Sequence, residues 1–183
     1  GRAPVAWLAL ENRSGAATFF MMDEGADSGP ILVQETFDVN HQDYASDVSQ
    51  KMEDAIDRAL DHWLPRLIDG EWEPVPQDDT KATYYGRRLP GDGLIDWGRP
   101  AEEILALVRA TSRPHPGAYT YAGGSRLIVW RAALEKKLPY HGVIGRILLT
   151  DGQKGCLVQT GDGLLWLVQV EYVPDKGNPP ELR

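Results

Sequence analysis

Residues 16–33 read Ala16-Ala17-Thr18-Phe19-Phe20-Met21-Met22-Asp23-Glu24-Gly25-Ala26-Asp27-Ser28-Gly29-Pro30-Ile31-Leu32-Val33, and their order decides the first half of the fold. The run 16–22 is almost continuously apolar and of strand length, which predicts a buried strand. A polar loop follows, and the apolar run Ile31 to Phe37 predicts a second strand beyond it. Asp23 and Asp27 fall in that loop, where Gly25 and Gly29 let a ligand approach the main chain closely. Two carboxylates in a glycine-bearing loop at a strand end make a candidate site. The same pattern also arises where aspartates only satisfy loop amides.

Working outward, Ala3 to Leu10 is apolar with Pro4 where a missing N–H costs nothing, which predicts a short helix. After the second strand, Val48, Met52, Ala55, Ile56, Ala59, Leu60, Trp63, Leu64 and Leu67 recur at steps of three and four. This repeat predicts an amphipathic helix from Tyr44 to Leu67, with Pro65 expected to kink or end it. Prolines and glycines among polar residues over 73–100 predict an ordered connector. A second helix is expected around Ile104 to Val108, with Glu102 and Glu103 in its first turn, stopping before Pro114. Short apolar runs then alternate with turn signals: 118–121, 127–130, 143–149, 157–160 and 164–170. Hairpins at that density predict a small barrel, and five strands suit the oligonucleotide-binding type.

A chain of 183 residues can bury one sizeable core, or one small domain plus the edge of another. Its first residue is Gly rather than Met and it opens in the middle of an apolar element, so it is expected to be cut from something longer. The net charge of −8 is unevenly spread. Residues 1–80 carry 5 basic against 17 acidic side chains, residues 81–146 carry 11 against 5, and residues 147–183 carry 3 against 5. The basic middle block would attract phosphates, or else pair with the acidic first block. No apolar run approaches the roughly 20 residues of a membrane span, so no membrane association is expected. Cys156 is alone, so it closes no internal disulfide and anchors no cysteine cluster, which fits a reducing, cytoplasmic setting without a metal.

The segments Gly1-Arg2-Ala3-Pro4-Val5-Ala6-Trp7, Asp23 to Ile31, Gly86-Arg87-Arg88, Asp92-Gly93-Leu94-Ile95-Asp96-Trp97 and Arg113-Pro114-His115-Pro116-Gly117-Ala118 together resemble the folate-dependent formyltransferases. That group includes methionyl-tRNA formyltransferase and enzymes that formylate nucleotide-linked amino sugars such as UDP-4-amino-4-deoxy-L-arabinose. The likeness runs from Gly1 to about Val170, and Gly25 to Pro30 is its most specific part.

The resemblance implies an α/β fold: the end of a Rossmann-like formyltransferase domain over residues 1–80, a connector over 81–100, and a small OB-like β-barrel with a leading helix over 101–183. It makes Asp27 the catalytic aspartate that holds a histidine charged and helps to move a proton from the attacking amine. Arg2, Asp23, Glu24, Gly25, Ala26 and Asp27 become the residues against the folate, with 10-formyltetrahydrofolate as formyl donor and no metal. The family's Asn-x-His segment would precede Gly1, so the chain alone is expected to be incomplete and inactive. The acceptor implied is a polyanionic amine, methionyl-tRNA or a nucleotide sugar. His115 stands where relatives carry an aromatic and reads as structural. A reading of another class is a non-catalytic nucleic-acid-binding module, although Trp130 and Trp166 lie in runs that read as buried rather than as exposed stacking platforms.

Overall fold

A computed structural model describes residues 2–174; Gly1 and residues 175–183, the tail of the expected barrel segment, lie outside the described residues. Helix α1 spans Pro4–Glu11, with Pro4 at its first position. Strands β1 (Gly15–Phe20) and β2 (Ile31–Phe37) pair antiparallel, Gly15 opposite Phe37. Helix α2, Ala45–Ile68, covers this hairpin. Its entry is fixed by Asp47, whose carboxylate accepts the N–H of Tyr44 at 2.8 Å and so satisfies a donor that the helix start leaves free. Val5, Ala9, Ala17, Phe37, Val48 and Ala55 form the core between these elements.

Two expectations for this half are corrected. Strand β1 buries only Ala17, and Met21 and Met22 lie beyond it, exposed. The strand pairs on one edge alone among the described residues, so its apolar side chains are only half covered. Pro65 does not end α2, which continues to Ile68; the last turn gives up one N–H there, and the N–H of Asp69 closes it on the Pro65 carbonyl at 3.0 Å.

The connector carries two short 3-10 turns, Asp79–Lys81 and Pro90–Gly93. Helix α3, Ala101–Thr111, places Glu102 and Glu103 in its first turn and buries Ile104 and Val108. It packs on a five-stranded antiparallel sheet in the order β3 (Ala118–Ala122), β4 (Ser125–Glu135), β7 (Leu164–Val173), β6 (Gly155–Gln159), β5 (Ile147–Asp151). The sheet is open: among the described residues β3 and β5 are its edges and do not pair with each other. The chain is thus mixed α/β with two antiparallel sheets, and the closed OB-like barrel is not what the ladder shows. Strand β5 starts at Ile147 rather than Val143, because Val143 to Arg146 form a turn in which the Arg146 N–H returns to the Val143 carbonyl at 3.0 Å.

The two packed regions interlock. Tyr44, at the foot of α2, belongs to the core formed by α3 and the sheet, with Val129 and Leu165. Ala110, near the end of α3, belongs to the core of α1 and α2. No described helix is long and apolar enough to cross a membrane.

Candidate active site

The loop between β1 and β2 is shaped by its own polar groups. The Met21 N–H donates to the Pro30 carbonyl at 2.9 Å and closes the neck. Asp23 Oδ1 accepts the Gly25 N–H at 3.0 Å and the Ser28 hydroxyl at 2.8 Å, so this carboxylate builds the turn. Asp27 has a φ of 62°, in the left-handed region where aspartate is among the few tolerated side chains. A Cβ on Gly29 would lie 1.6 Å from the Met21 carbonyl oxygen, so only glycine fits at the neck.

A segment some fifty residues away completes the loop. Ile31 and Val75 exchange main-chain hydrogen bonds at 2.7 and 2.8 Å, which brings Gln77 alongside. The Gln77 side-chain amide then donates from Nε2 to the Asp27 carbonyl at 2.9 Å and to the Gly29 carbonyl at 2.7 Å. Sequence reasoning missed Gln77, because a glutamine between Pro76 and Asp78 in a polar stretch carries no periodicity or motif that marks it.

Of the residues singled out from the sequence, Asp23, Glu24, Gly25, Ala26 and Asp27 lie together and exposed on this loop. Asp27 points its carboxylate at no partner among the described residues, and the turn-building role belongs to Asp23. Arg2 lies elsewhere, on the wall of a cleft of about 280 Å³ shared with Trp7, Leu8, Arg13 and Tyr85; residues 23–27 are not among its walls. In that cleft the Tyr85 hydroxyl donates to Glu11 at 2.8 Å and itself accepts from Arg13. The Glu11 carboxylate raises the Tyr85 pKa above its ordinary value, because ionising the phenol would break that bond.

The basic block does not pair with the acidic first segment as a set. Its guanidinium groups stack on aromatic rings: Arg88 over Trp7 at 5.2 Å, Arg113 over Trp130 at 4.8 Å, Arg126 over Tyr119 at 3.8 Å and Arg131 over Tyr44 at 4.5 Å. His115 lines a cavity of about 140 Å³ with Arg88, Gly93 and Thr111. Burial, then the charge of Arg88, pushes its pKa below the ordinary imidazole value, so the ring is held neutral.

Residues 89–176 match the family model described as the formyl transferase C-terminal domain. Among solved structures the chain is similar to HypX from Aquifex aeolicus in complex with tetrahydrofolic acid, at a TM-score of 0.75 and 19% identity over 95% of this chain and 31% of that one. It is also similar to the methionyl-tRNA formyltransferase from Clostridium thermocellum, at 0.65 and 19% over 96% and 63%. A third is the N-formyltransferase from Helicobacter canadensis in complex with folinic acid and dTDP-3-aminofucose, at 0.68 and 18% over 92% and 61%. At these identities the likeness is one of fold. The chain spans about a third of the length of HypX and under two thirds of the other two. Residues 89–176 thus carry the formyl transferase C-terminal domain, and the loop segment from Gly25 to Pro30 precedes that domain on the same chain, in a fold similar to that of known formyltransferases.

Proposed function

We propose that the protein containing this chain transfers a formyl group from 10-formyltetrahydrofolate to a primary amine, with methionyl-tRNA as the acceptor. The observation that carries the reading is the formyl transferase C-terminal domain over residues 89–176, joined to the loop that presents Asp27. Residues 1–80 are then the end of a Rossmann-like catalytic domain, 81–100 its connector, and 101–183 the second domain. A cytoplasmic location goes with a folate donor.

The residues present fit a folate. Among the described residues the loop 23–28 spends one N–H, that of Gly25, and one carbonyl, that of Asp27, on protein partners. Its remaining peptide groups are exposed and in a fixed order, which suits the donor–acceptor edge of a planar pterin. Asp23, Glu24, Gly25, Ala26 and Asp27 would hold it at the pterin, while Arg2, on the wall of a different cleft, would supply a cation only to a part of the folate beyond the pterin. When bound, the folate supplies the formyl group. Asp27, whose carboxylate has no partner among the described residues, holds a histidine from the preceding part of the protein in its charged form and takes part in removing the amine proton.

A second acceptor, an amino sugar on a nucleotide such as UDP-4-amino-4-deoxy-L-arabinose, is supported by the likeness to the dTDP-3-aminofucose enzyme. The reading as a mere nucleic-acid module has less support. Trp130 and Trp166 are 9% and 4% exposed, and their indole N–H groups are spent on Glu171 and Glu135. The test is formyl transfer by the full-length protein, with 10-formyltetrahydrofolate offered alongside methionyl-tRNA or the amino sugar. Transfer to the tRNA that weakens steeply with salt supports the first acceptor. Transfer to neither overturns the proposal.

A further inference from the structure

The structure contains a clamp on the loop that carries Asp27, and it comes from outside the loop. We infer that Gln77 is a positioning residue for formyl transfer, fixing the direction of the Asp27 carboxylate through the main chain of residues 27–29. The inference rests on the functional reading above, because it matters only if Asp27 takes part in chemistry.

Asp27 has a left-handed backbone, which non-glycine residues reach at a cost and hold only when neighbours enforce it. Asp23 fixes the first half of the loop, through Gly25 and Ser28, but bonds to nothing at Asp27. In the second half two carbonyls, of Asp27 and Gly29, are both met by one nitrogen, Gln77 Nε2, at 2.9 and 2.7 Å. An NH₂ group has two hydrogens, so one can serve each carbonyl. Turning the 27–28 peptide would break the bond to the Asp27 carbonyl and change the rotation about the Cα–C bond of Asp27. Because that rotation sets the direction of Cβ relative to the clamped carbonyl, the carboxylate would turn with it.

Gln77 is itself fixed. It sits two residues after Val75, whose N–H and carbonyl are both paired with Ile31, the residue that leaves the loop on the other side. Loop and clamp therefore share one short antiparallel bridge, and Gln77 is partly buried against it. A carboxylate meant for an imidazole needs its aim held to a fraction of an ångström, and misplacement by about 1 Å can cost on the order of 100-fold in rate.

The experiment uses the full-length protein with the acceptor that the wild type formylates. Gln77→Leu removes both donors, and Gln77→Met, which keeps the length of the side chain, is made in parallel in case the first does not fold. Each should lower kcat by about 10- to 100-fold and change KM for the folate by less than about threefold. The limb of the pH–rate profile set by the histidine should move to lower pH as that ring loses its aligned carboxylate. In an Asp27→Asn background, measured by single turnover, Gln77→Leu should change the rate by less than about twofold, because a residue that acts through Asp27 has nothing left to align. Unchanged kcat, or an equal loss in both backgrounds, overturns the positioning role while leaving the formyltransferase reading intact. A wild type that formylates neither acceptor removes the functional reading, and this inference with it.

Discussion

The hydroxyl of Tyr44, the residue that precedes α2, donates to the main-chain carbonyl of Ala132 in β4 at 3.3 Å, so one side chain from the first half of the chain is bonded inside the core of the second. Arg131 lies over the same ring at 4.5 Å. Tyr44→Phe should cost about 1 kcal/mol, the worth of one hydrogen bond, and Tyr44→Ala about 3–5 kcal/mol from the cavity it leaves. Urea denaturation of both variants checks this. Equal midpoints for Tyr44→Ala and the wild type would show that the two halves do not depend on this contact.

Gly155 has a φ of 97°, and a Cβ placed there would come within 2.0 Å of the Leu167 carbonyl oxygen. Gly152, on the same β5–β6 turn, has nothing within 4 Å of such a Cβ. Gly155→Ala should therefore destabilise by about 2–4 kcal/mol, while Gly152→Ala stays within about 0.5 kcal/mol of the wild type. Thermal melts of the pair are sufficient, and two variants that melt together would refute the assignment of the close approach.

His115 is held neutral by burial and by Arg88, so its folded pKa lies below the value it takes when unfolded, about 6.5. The unfolded chain then binds the proton more readily. The contribution to stability is complete above about pH 6.5 and is lost as the pH falls toward the folded value. His115→Phe removes the titration, so the stability gap between variant and wild type should shift in favour of the variant between pH 7.5 and about pH 5. A gap that does not change with pH in that window would mean that the ring titrates alike in both states.

Asp27→Asn in the full-length protein should reduce formyl transfer to below about 1% of wild type, with the melting temperature unchanged, since the carboxylate holds no partner among the described residues. Asp23→Asn should behave in the opposite way. Its oxygen accepts two hydrogen bonds that shape the turn, and an amide oxygen can still accept them, so most of the rate should survive. Steady-state kinetics on both variants decide whether the two aspartates have separate roles.

What could be read from the residues was whatever depended on local pattern. The stripe from Val48 to Leu60 gave α2, Ile31 to Phe37 gave β2 at its observed bounds, and Glu102-Glu103 ahead of Ile104 gave α3. Where the outcome depended on distant partners, the pattern failed. Burial of β1 depends on what lies along its second edge, which no property of Ala16 to Phe20 encodes. Closure of the sheet depends on β3 and β5 meeting across some thirty residues, and hairpin spacing says nothing of that. The site divided in the same way: glycines and aspartates marked the loop, but the amide that holds it lies at Gln77, joined to it by a single bridge between Ile31 and Val75.

The connector is not uniform along its length. Between Leu94 and Ala101 its main chain is stitched into the second sheet: the Ile95 N–H bonds to the Tyr119 carbonyl, the Gly161 N–H to Trp97, and the Ala101 N–H to Asp162, each at 2.8 Å. Ahead of it, Ala82 to Arg87 are mostly exposed and are tied down by side chains of the first helix and its end: the Trp7 indole donates to the Gly86 carbonyl at 3.1 Å, and the Tyr85 hydroxyl bonds to Glu11 and Arg13. A protease threads its substrate as an extended strand, so trypsin added briefly should sever the backbone after Lys81 or Arg87 and spare Arg99. The product on the C-terminal side of the cut would keep Leu94 to Ala101 as the outermost turn of its own framework.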